Sequence, residues 1–414
     1  MRSLIILNDI RPTPFLTAIL LRKKLPMASI VADKSIIYND EYGNKAGYLW
    51  GFFVQLYLML ITRSRLLKTI KLNNLLSIHE KKGLQSSLYS ITCDTSANAE
   101  KYPEIYSALE SLDYGAQTIV DYISTQRKDD LIIYIFNGRT ASSYPIVRYC
   151  FEHRIRVVYY EYAAHCNGFR LYPVPPHASA VLGEYLLIYY KKGNYSPWKC
   201  TQAAWQFEQD KLSSNFSKNN KEKPTKQYDV VMFLGSNFEY TSIDEEICGL
   251  KWNGNIEFCQ KVIEKHGFDK QYCVRCHPNS ANDPNWPVLF SDLDEALNRL
   301  FVKVDIILPT EKIDSHQLIN AASLVVTDFS SIALDAIIMN ANVEICGNTD
   351  IRKVKQDPFF NDLLEQGLAF SRIEPHALAH NFFVFRFPIH FKIMNYILFH
   401  AHRVVEKANM FFAK

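Results

Sequence analysis

The chain has 414 residues, with 46 Lys+Arg against 43 Asp+Glu for a formal net charge of +3. That length suggests about two or three domains, and 48% hydrophobic with 21% charged residues excludes wholesale disorder and fibrous or collagen-like chains. The near-neutral balance argues against a nucleic-acid partner.

The opening run MRSLIILNDIRP brings Asp9 and Arg11 after a short apolar stretch, without the long uncharged core of a secretory signal, so a cytoplasmic location is expected. Nine cysteines, an odd number scattered from Cys93 to Cys346, fit reduced thiols better than a disulfide framework. The longest apolar stretch, 46–62, contains YLWGFFVQLYLMLI and is followed by Arg63, Arg65, Lys68 and Lys71. It lies at the lower edge of bilayer-spanning length, so buried, interfacial and spanning helices all remain open.

Residues 1–210 alternate Ile-, Val- and Tyr-rich runs (RSLIILND, ASIVAD, LIIYIFN, RVVYYEY) with longer helical patterns such as 104–124. Residues 211–227, KLSSNFSKNNKEKPTKQ, lose the apolar period and are expected to be a linker. A second alternation occupies 228–375: YDVVMFLG, QYCVRCHP, VDIILP, SLVVTD and NVEICG, with helices around 256–266, 293–301, 316–322 and 331–339. The expected fold class is α/β, with two doubly wound Rossmann-like domains. A cleft lies between them at the carboxyl ends of their strands, and 211–227 acts as a hinge for closure.

No GxGxxG and no GxxxxGK[ST] occurs, so phosphate must be held by other loops. Arg275-Cys276-His277-Pro278 follows a strand-like run. Pro278 biases His277 to extended geometry and sets its imidazole at the strand's carboxyl end, where it can donate to a phosphate; a local hydrogen bond is the ordinary alternative. The overlapping CVRCH matches a haem-attachment spacing, but residues i and i+3 of a strand point to opposite faces, which argues against haem. Thr327-Asp328-Phe329-Ser330-Ser331 joins a strand to a helix, so its hydroxyls and helix-end N–H groups suit an anion, or simply cap the helix. The turn Gly235-Ser236 opens to the same side.

Asp292-Leu-Asp294 has a DxD spacing, better explained as capping of a helix that opens there; no metal site is expected. In the first half, Asn137-Gly138-Arg139 ends a strand, and Arg139 suits an anionic acceptor group. Glu161 ends the next strand, and Glu161 and His165 are candidate general bases, a structural salt bridge being the alternative for Glu161.

CHPN followed some fifty residues later by LVVTDFSSIALDA resembles the HP motif and serine motif of bacterial capsule-synthesis glycosyltransferases of GT-B fold, a set that includes capsular Kdo transferases, sialyltransferases and, more distantly, CDP-glycerol glycerophosphotransferases. The resemblance covers about 228–350 and is weaker before it. It implies metal-independent sugar transfer, without a bound cofactor, from a nucleotide-sugar donor to a capsular or lipopolysaccharide glycan acceptor. It also implies that His277 and Ser330/Ser331 bind donor phosphate. CMP- and UDP-linked donors are not distinguished. The paired acidic motif of the sialyltransferases has no clear counterpart, so Glu161 is assigned as base from its own position. A nucleotide-sugar 2-epimerase, a polyol-phosphate transferase and a non-catalytic capsule assembly subunit remain alternatives.

Residues 376–414 carry five Lys/Arg, one acidic residue, nine Phe/Tyr and five His. This basic, aromatic segment is expected to pack back on the first domain or to contact the inner face of the cytoplasmic membrane peripherally.

Overall fold

The computed structural model describes residues 2–9, 11–25, 27–37, 48–60, 64–67, 81–163, 168–172, 175–176, 226–241, 243–248, 250–251, 254–328, 341–346, 348–349 and 384–386, with 332, 336 and 339. The first unit contains β1 (Arg2–Ile6), α1 (Pro12–Lys24), β2 (Ser29–Asp33), α2 (Lys34–Ile37), α3 (Tyr48–Leu60), β3 (Ser64–Leu67), α4 (Lys81–Thr92), α5 (Pro103–Ser124), β4 (Leu131–Phe136), α6 (Tyr144–Glu152), β5 (Arg156–Ala163) and β6 (Gly168–Tyr172). The second contains β7 (Tyr228–Phe233), α7 (Asn237–Tyr240), α8 (Glu245–Cys248), β8 (Leu250–Lys251), α9 (Asn255–His266), β9 (Tyr272–Arg275), α10 (Trp286–Asn298), β10 (Val304–Ile307), α11 (Ser315–Asn320), β11 (Ala322–Thr327), β12 (Val343–Ile345) and β13 (Asn348–Thr349). The last described strand, β14, is Val384–Arg386.

Among the described residues, the first sheet has the order β14-β6-β5-β4-β1-β2-β3, and the second β10-β9-β7-β11-β12. Strands β1 to β5 pair in parallel, as does all of the second sheet, whereas β6 and β14 extend the first sheet antiparallel. The chain is therefore an α/β protein with two doubly wound, Rossmann-like units. The continuous apolar runs have their cause in the layers: a parallel sheet is covered on both faces. Along β1, Leu4 and Ile6 enter one core while Ile5 and Leu7 enter the other; Ile133 and Ile135 divide in the same way from Ile132 and Tyr134 on β4. Helices α1 and α3 cover one face of the first sheet, and α4, α5 and α6 the other.

The apolar run at 46–62 contains α3, which buries Val54 and Leu58 but leaves Phe52, Leu56, Met59 and Leu60 exposed. At 13 residues it is about 20 Å long against a hydrocarbon thickness of about 30 Å. Among the described residues no helix is long and apolar enough to cross a membrane. Three residues of the 376–414 segment form β14, paired with β6 in the register Val384↔Arg170, Phe385↔Phe169 and Arg386↔Gly168. Most of the linker expected at 211–227 and of that C-terminal segment lies outside the described residues.

The helix expected at 293–301 begins earlier, at Trp286, with Pro287 in its first turn. Asp292 and Asp294 therefore sit in mid-helix, about 200° apart, and neither opens the helix nor shares a face with the other. The expected capping role is corrected: Asn285 precedes the first turn.

Candidate functional site

Both sheets reverse their strand order, and each reversal leaves a crevice at the carboxyl edge. In the second sheet the reversal falls between β7 and β11, because β9 and β10 lie to one side and β12 to the other. The loops leaving β7, β9 and β11 hold the sequence-predicted donor residues.

After β7 the chain turns at Gly235, where an added Cβ would lie 1.5 Å from the Tyr240 ring, so only glycine admits that ring. Ser236 follows, fully buried at the start of α7. Asn255, at the head of α9, donates through Nδ2 to the Gly235 carbonyl at 3.2 Å and to Asn237 Oδ1 at 2.9 Å, fixing the turn against the helix. No pattern in the sequence marked Asn255, because its partners lie some twenty residues away.

After β9, His277 is extended (φ −64°, ψ 132°), as expected before Pro278, and a 3-10 turn runs from Pro278 to Asn282. His277 Nδ1 accepts the Asn279 N–H at 3.1 Å. In the neutral ring this places the proton on Nε2, making that nitrogen a donor. Arg275 has a different position from the one expected. It is 2% exposed, and its guanidinium donates to the carbonyls of Leu308 at 2.5 Å and Glu311 at 3.2 Å. It thus braces the loop after β10 from within. The adjacent Cys273 and Cys276 are both buried and enter different cores, on opposite faces of β9, so the haem spacing has no haem geometry.

After β11, Thr327 Oγ1 donates to the Phe233 carbonyl at 3.1 Å, tying β11 to the end of β7. Asp328 comes next, its carboxyl pushed up to about 7 by burial, with Lys261 acting in the other direction. Ser330 and Ser331 lie outside the described residues.

In the first sheet the reversal falls between β1 and β4. Asn8 spans it, donating to the Phe136 carbonyl and accepting the Phe136 N–H, both at 3.0 Å. Asn137 has φ 59° and Gly138 φ 96°; a Cβ on Gly138 would meet the Tyr159 ring at 2.5 Å. This left-handed pair turns the chain so that Asn137 Nδ2 reaches Glu161 Oε1 at 3.4 Å while its Oδ1 accepts the Arg139 N–H at 3.2 Å. Asn137, Arg139 and Glu161 are thereby brought together. Glu161 does not end its strand, however. The strand β5 continues to Ala163 as a hairpin with β6, in which Glu161 stands opposite Arg170. His165, in the connection, lies outside the described residues.

The two units meet beside Arg139. Ile243 and Cys248, from the chain that follows β7, are buried in the first unit's core. Between them Asp244 accepts a hydrogen bond from Tyr144 OH through Oδ2 and from the N–H groups of Glu246 and Ile247 through Oδ1. Lys82 and Arg148 lie 3.9 and 4.0 Å from its carboxylate. Burial alone would raise the Asp244 pKa, but these bonds and charges hold it below the usual range. A pocket opens here, lined by Gly138, Arg139, Tyr144, Pro175, Asp244 and Ile247, among others. A second junction joins buried Asp94 to Asn285, whose Nδ2 donates at 3.1 Å.

No family model matches the chain, and no curated protein matches it. Among solved structures, it is similar to the KpsC beta Kdo 2,7 transferase of Thermosulfurimonas dismutans (17% identity over 56% of this chain and 69% of that one, TM-score 0.34). It is also similar to the UDP-GlcNAc 2-epimerase of Neisseria meningitidis bound to UDP-GlcNAc (12% identity, 92% and 97% covered, TM-score 0.26). A further likeness is to the wall teichoic acid polymerase TagF (10% identity, 98% and 83% covered, TM-score 0.23).

Proposed function

We propose that the protein is a glycosyltransferase that moves a sugar from a nucleotide-activated donor to a surface glycan. The observation that carries this reading is the convergence of the Gly235–Ser236 turn, His277 and Asp328 on the carboxyl edge of one parallel sheet around its strand-order reversal, where such sheets bind nucleotides. The HP-motif and serine-motif resemblance supplies the reaction class.

In this reading the donor's phosphate gains negative charge as its bond to the sugar breaks. His277 Nε2–H and the turn at Gly235–Ser236 stabilise that charge, together with Ser330 and Ser331. The charge on the leaving group is met by protein donors, without a resident metal. Across the junction, Glu161 takes the proton of the acceptor hydroxyl. Asn137 orients Glu161, and Arg139 binds an anionic group on the acceptor. His165, four residues after Glu161, is the second candidate base. Arg275 supports the site from the interior rather than by touching the donor.

The reading extends to work on the inner face of the cytoplasmic membrane, for which the exposed apolar residues of α3 and the aromatic, basic composition of 376–414 are the support.

The test is donor turnover with and without a glycan acceptor, the products separated by chromatography. Transfer product that appears only with acceptor and is lost in Glu161→Gln supports the proposal. Acceptor-independent conversion of the donor sugar would replace it with an epimerase, and a protein indifferent to His277→Ala would be an assembly subunit.

A further inference from the structure

The junctions at Asp244 and Asp94 differ in kind. At Asp244 the chain that follows β7 is seated in the first unit: Ile243 and Cys248 are buried in its core, and Arg148 pairs with Glu246 at 2.7 Å. Pulling that segment out would expose apolar surface, so it stays seated. The Asp94 junction is polar. Asp94, fully buried between α4 and α5, accepts from the Ser96 N–H and Oγ, Lys101 Nζ and Tyr102 OH at 2.6 to 3.1 Å. Its own unit therefore satisfies it, and the bond from Asn285 Nδ2, at 3.1 Å, crosses from the second unit. Behind Asn285 a line of bonds runs back to His277. Asn285 N–H donates to Asp283 Oδ1 at 2.8 Å, Asp283 N–H to the Ser280 carbonyl at 3.1 Å, and Ser280 N–H to the His277 carbonyl at 2.9 Å. The turn that carries His277 and the contact with the first unit are thus one piece.

Asp283 unbalances that contact. It is 4% exposed, and among the described residues its Oδ2 is buried with no hydrogen-bond partner. A buried acceptor that has lost its water costs the closed arrangement free energy, and the Asp94 carboxylate across the Asn285 bridge adds like-charge repulsion. Burial pushes the Asp283 carboxyl above its usual range against the bonds from Asn285, and Asp94 pushes the same way. Parting the units here would return water to Oδ2. We propose that the hydrogen bond from Asn285 to Asp94 is a latch between the units. When made, it holds the His277 turn against the first unit; when broken, the units part there and pivot on the seated Asp244 segment. Asn285 favours the closed form and Asp283 the open one, so two neighbouring residues set the balance in opposite directions.

The latch is independent of what the carboxyl edge binds, so it is tested on the full chain alone, and a negative result leaves the donor-site reading standing. The experiment is hydrogen–deuterium exchange at pH 7, read by mass spectrometry, on the native, Asn285→Ala and Asp283→Asn proteins. Asn285→Ala removes the crossing bond, so amides of 94–102 and 277–286 should exchange about tenfold faster, the factor expected for one hydrogen bond to a charged group. Amides of 244–248 should keep their native rate. Asp283→Asn keeps the acceptor for the Asn285 N–H and removes the charge, so the same two peptides should exchange more slowly than in the native chain. A merely structural role for both residues predicts faster exchange in both variants. Native rates in Asn285→Ala, or native or faster exchange in Asp283→Asn, overturn the latch. Acceleration of 244–248 together with the two peptides overturns it as well, because the units would then separate without a pivot. If Asn285→Ala does not fold, Asp283→Asn decides alone by the same criterion.

Discussion

At the scale of the residue, the site depends on how backbone geometry commits each side chain. In the neutral ring of His277 the proton sits on Nε2, because Nδ1 accepts from Asn279, and under the proposed function a single donor aimed at developing charge contributes about 10²–10³ in rate. His277→Ala should therefore lower kcat/KM for the nucleotide donor by about a hundredfold, while the thermal unfolding midpoint changes little; an unchanged kcat/KM would remove His277 from the chemistry. Gly235 is a separate case. Gly235→Ala must displace the Tyr240 ring, so it should weaken donor binding and destabilise the protein together, read by titration and by denaturant midpoint. The haem-like spacing leads to a chemical prediction as well. Cys273 and Cys276 are buried and both thiols are pushed up to about 12, chiefly by burial. Native alkylation with iodoacetamide should leave both unmodified, and modification at rates typical of exposed thiols would contradict their placement.

At the scale of the element, apolar runs such as LIIYIF and DVVMF were legible because a strand covered on both faces must be apolar throughout. The outer strands of the first sheet were not: β3 is SRLL, β14 is three residues long, and β6, beside β14, is defined by its antiparallel pairing to β5. That hairpin changes the setting of Glu161 from a strand end to the interior of a paired strand. The start of α10 was misplaced because acidic residues at 292 and 294 imitate a first turn, whereas Pro287 marks the real one. The loops at strand ends were readable from turn residues after apolar runs. The inward path of Arg275 and the clamp by Asn255 depend on contacts across the fold, for which local sequence carries no signal. The junction at Asp94 gives a prediction at this scale. Burial would raise its pKa, but bonds from Lys101, Ser96 and Tyr102 hold the carboxyl well below the usual range. A group with a lowered folded-state pKa adds stability above its unfolded pKa, about 4, and loses that contribution as pH falls through the folded value. Asp94→Asn should destabilise the protein at pH 7 and flatten the loss of stability as pH falls below about 4 in urea titrations; an equally steep acid loss in the variant would exclude Asp94 as its source.

At the scale of the whole molecule, the two units meet through packed side chains. Ile243 and Cys248 lie in the first unit's core although they follow β7 in the chain, and Asp244 between them is held by Tyr144. The same connection begins at the Gly235–Ser236 turn, so that turn and the Arg139 pocket share one short segment. The net charge of +3 conceals an uneven distribution: 376–414 carries five basic residues and one acidic residue. The central claim, that the second unit's carboxyl edge holds a nucleotide-sugar phosphate, is tested most directly by titrating CMP-, CDP-, UDP-, GDP- and dTDP-linked sugars into the native chain and into a variant carrying both His277→Ala and Ser330→Ala. The account predicts saturable binding of at least one donor, weakened at least tenfold in the variant. Absence of binding to all five, or binding of equal strength in the variant, would contradict it.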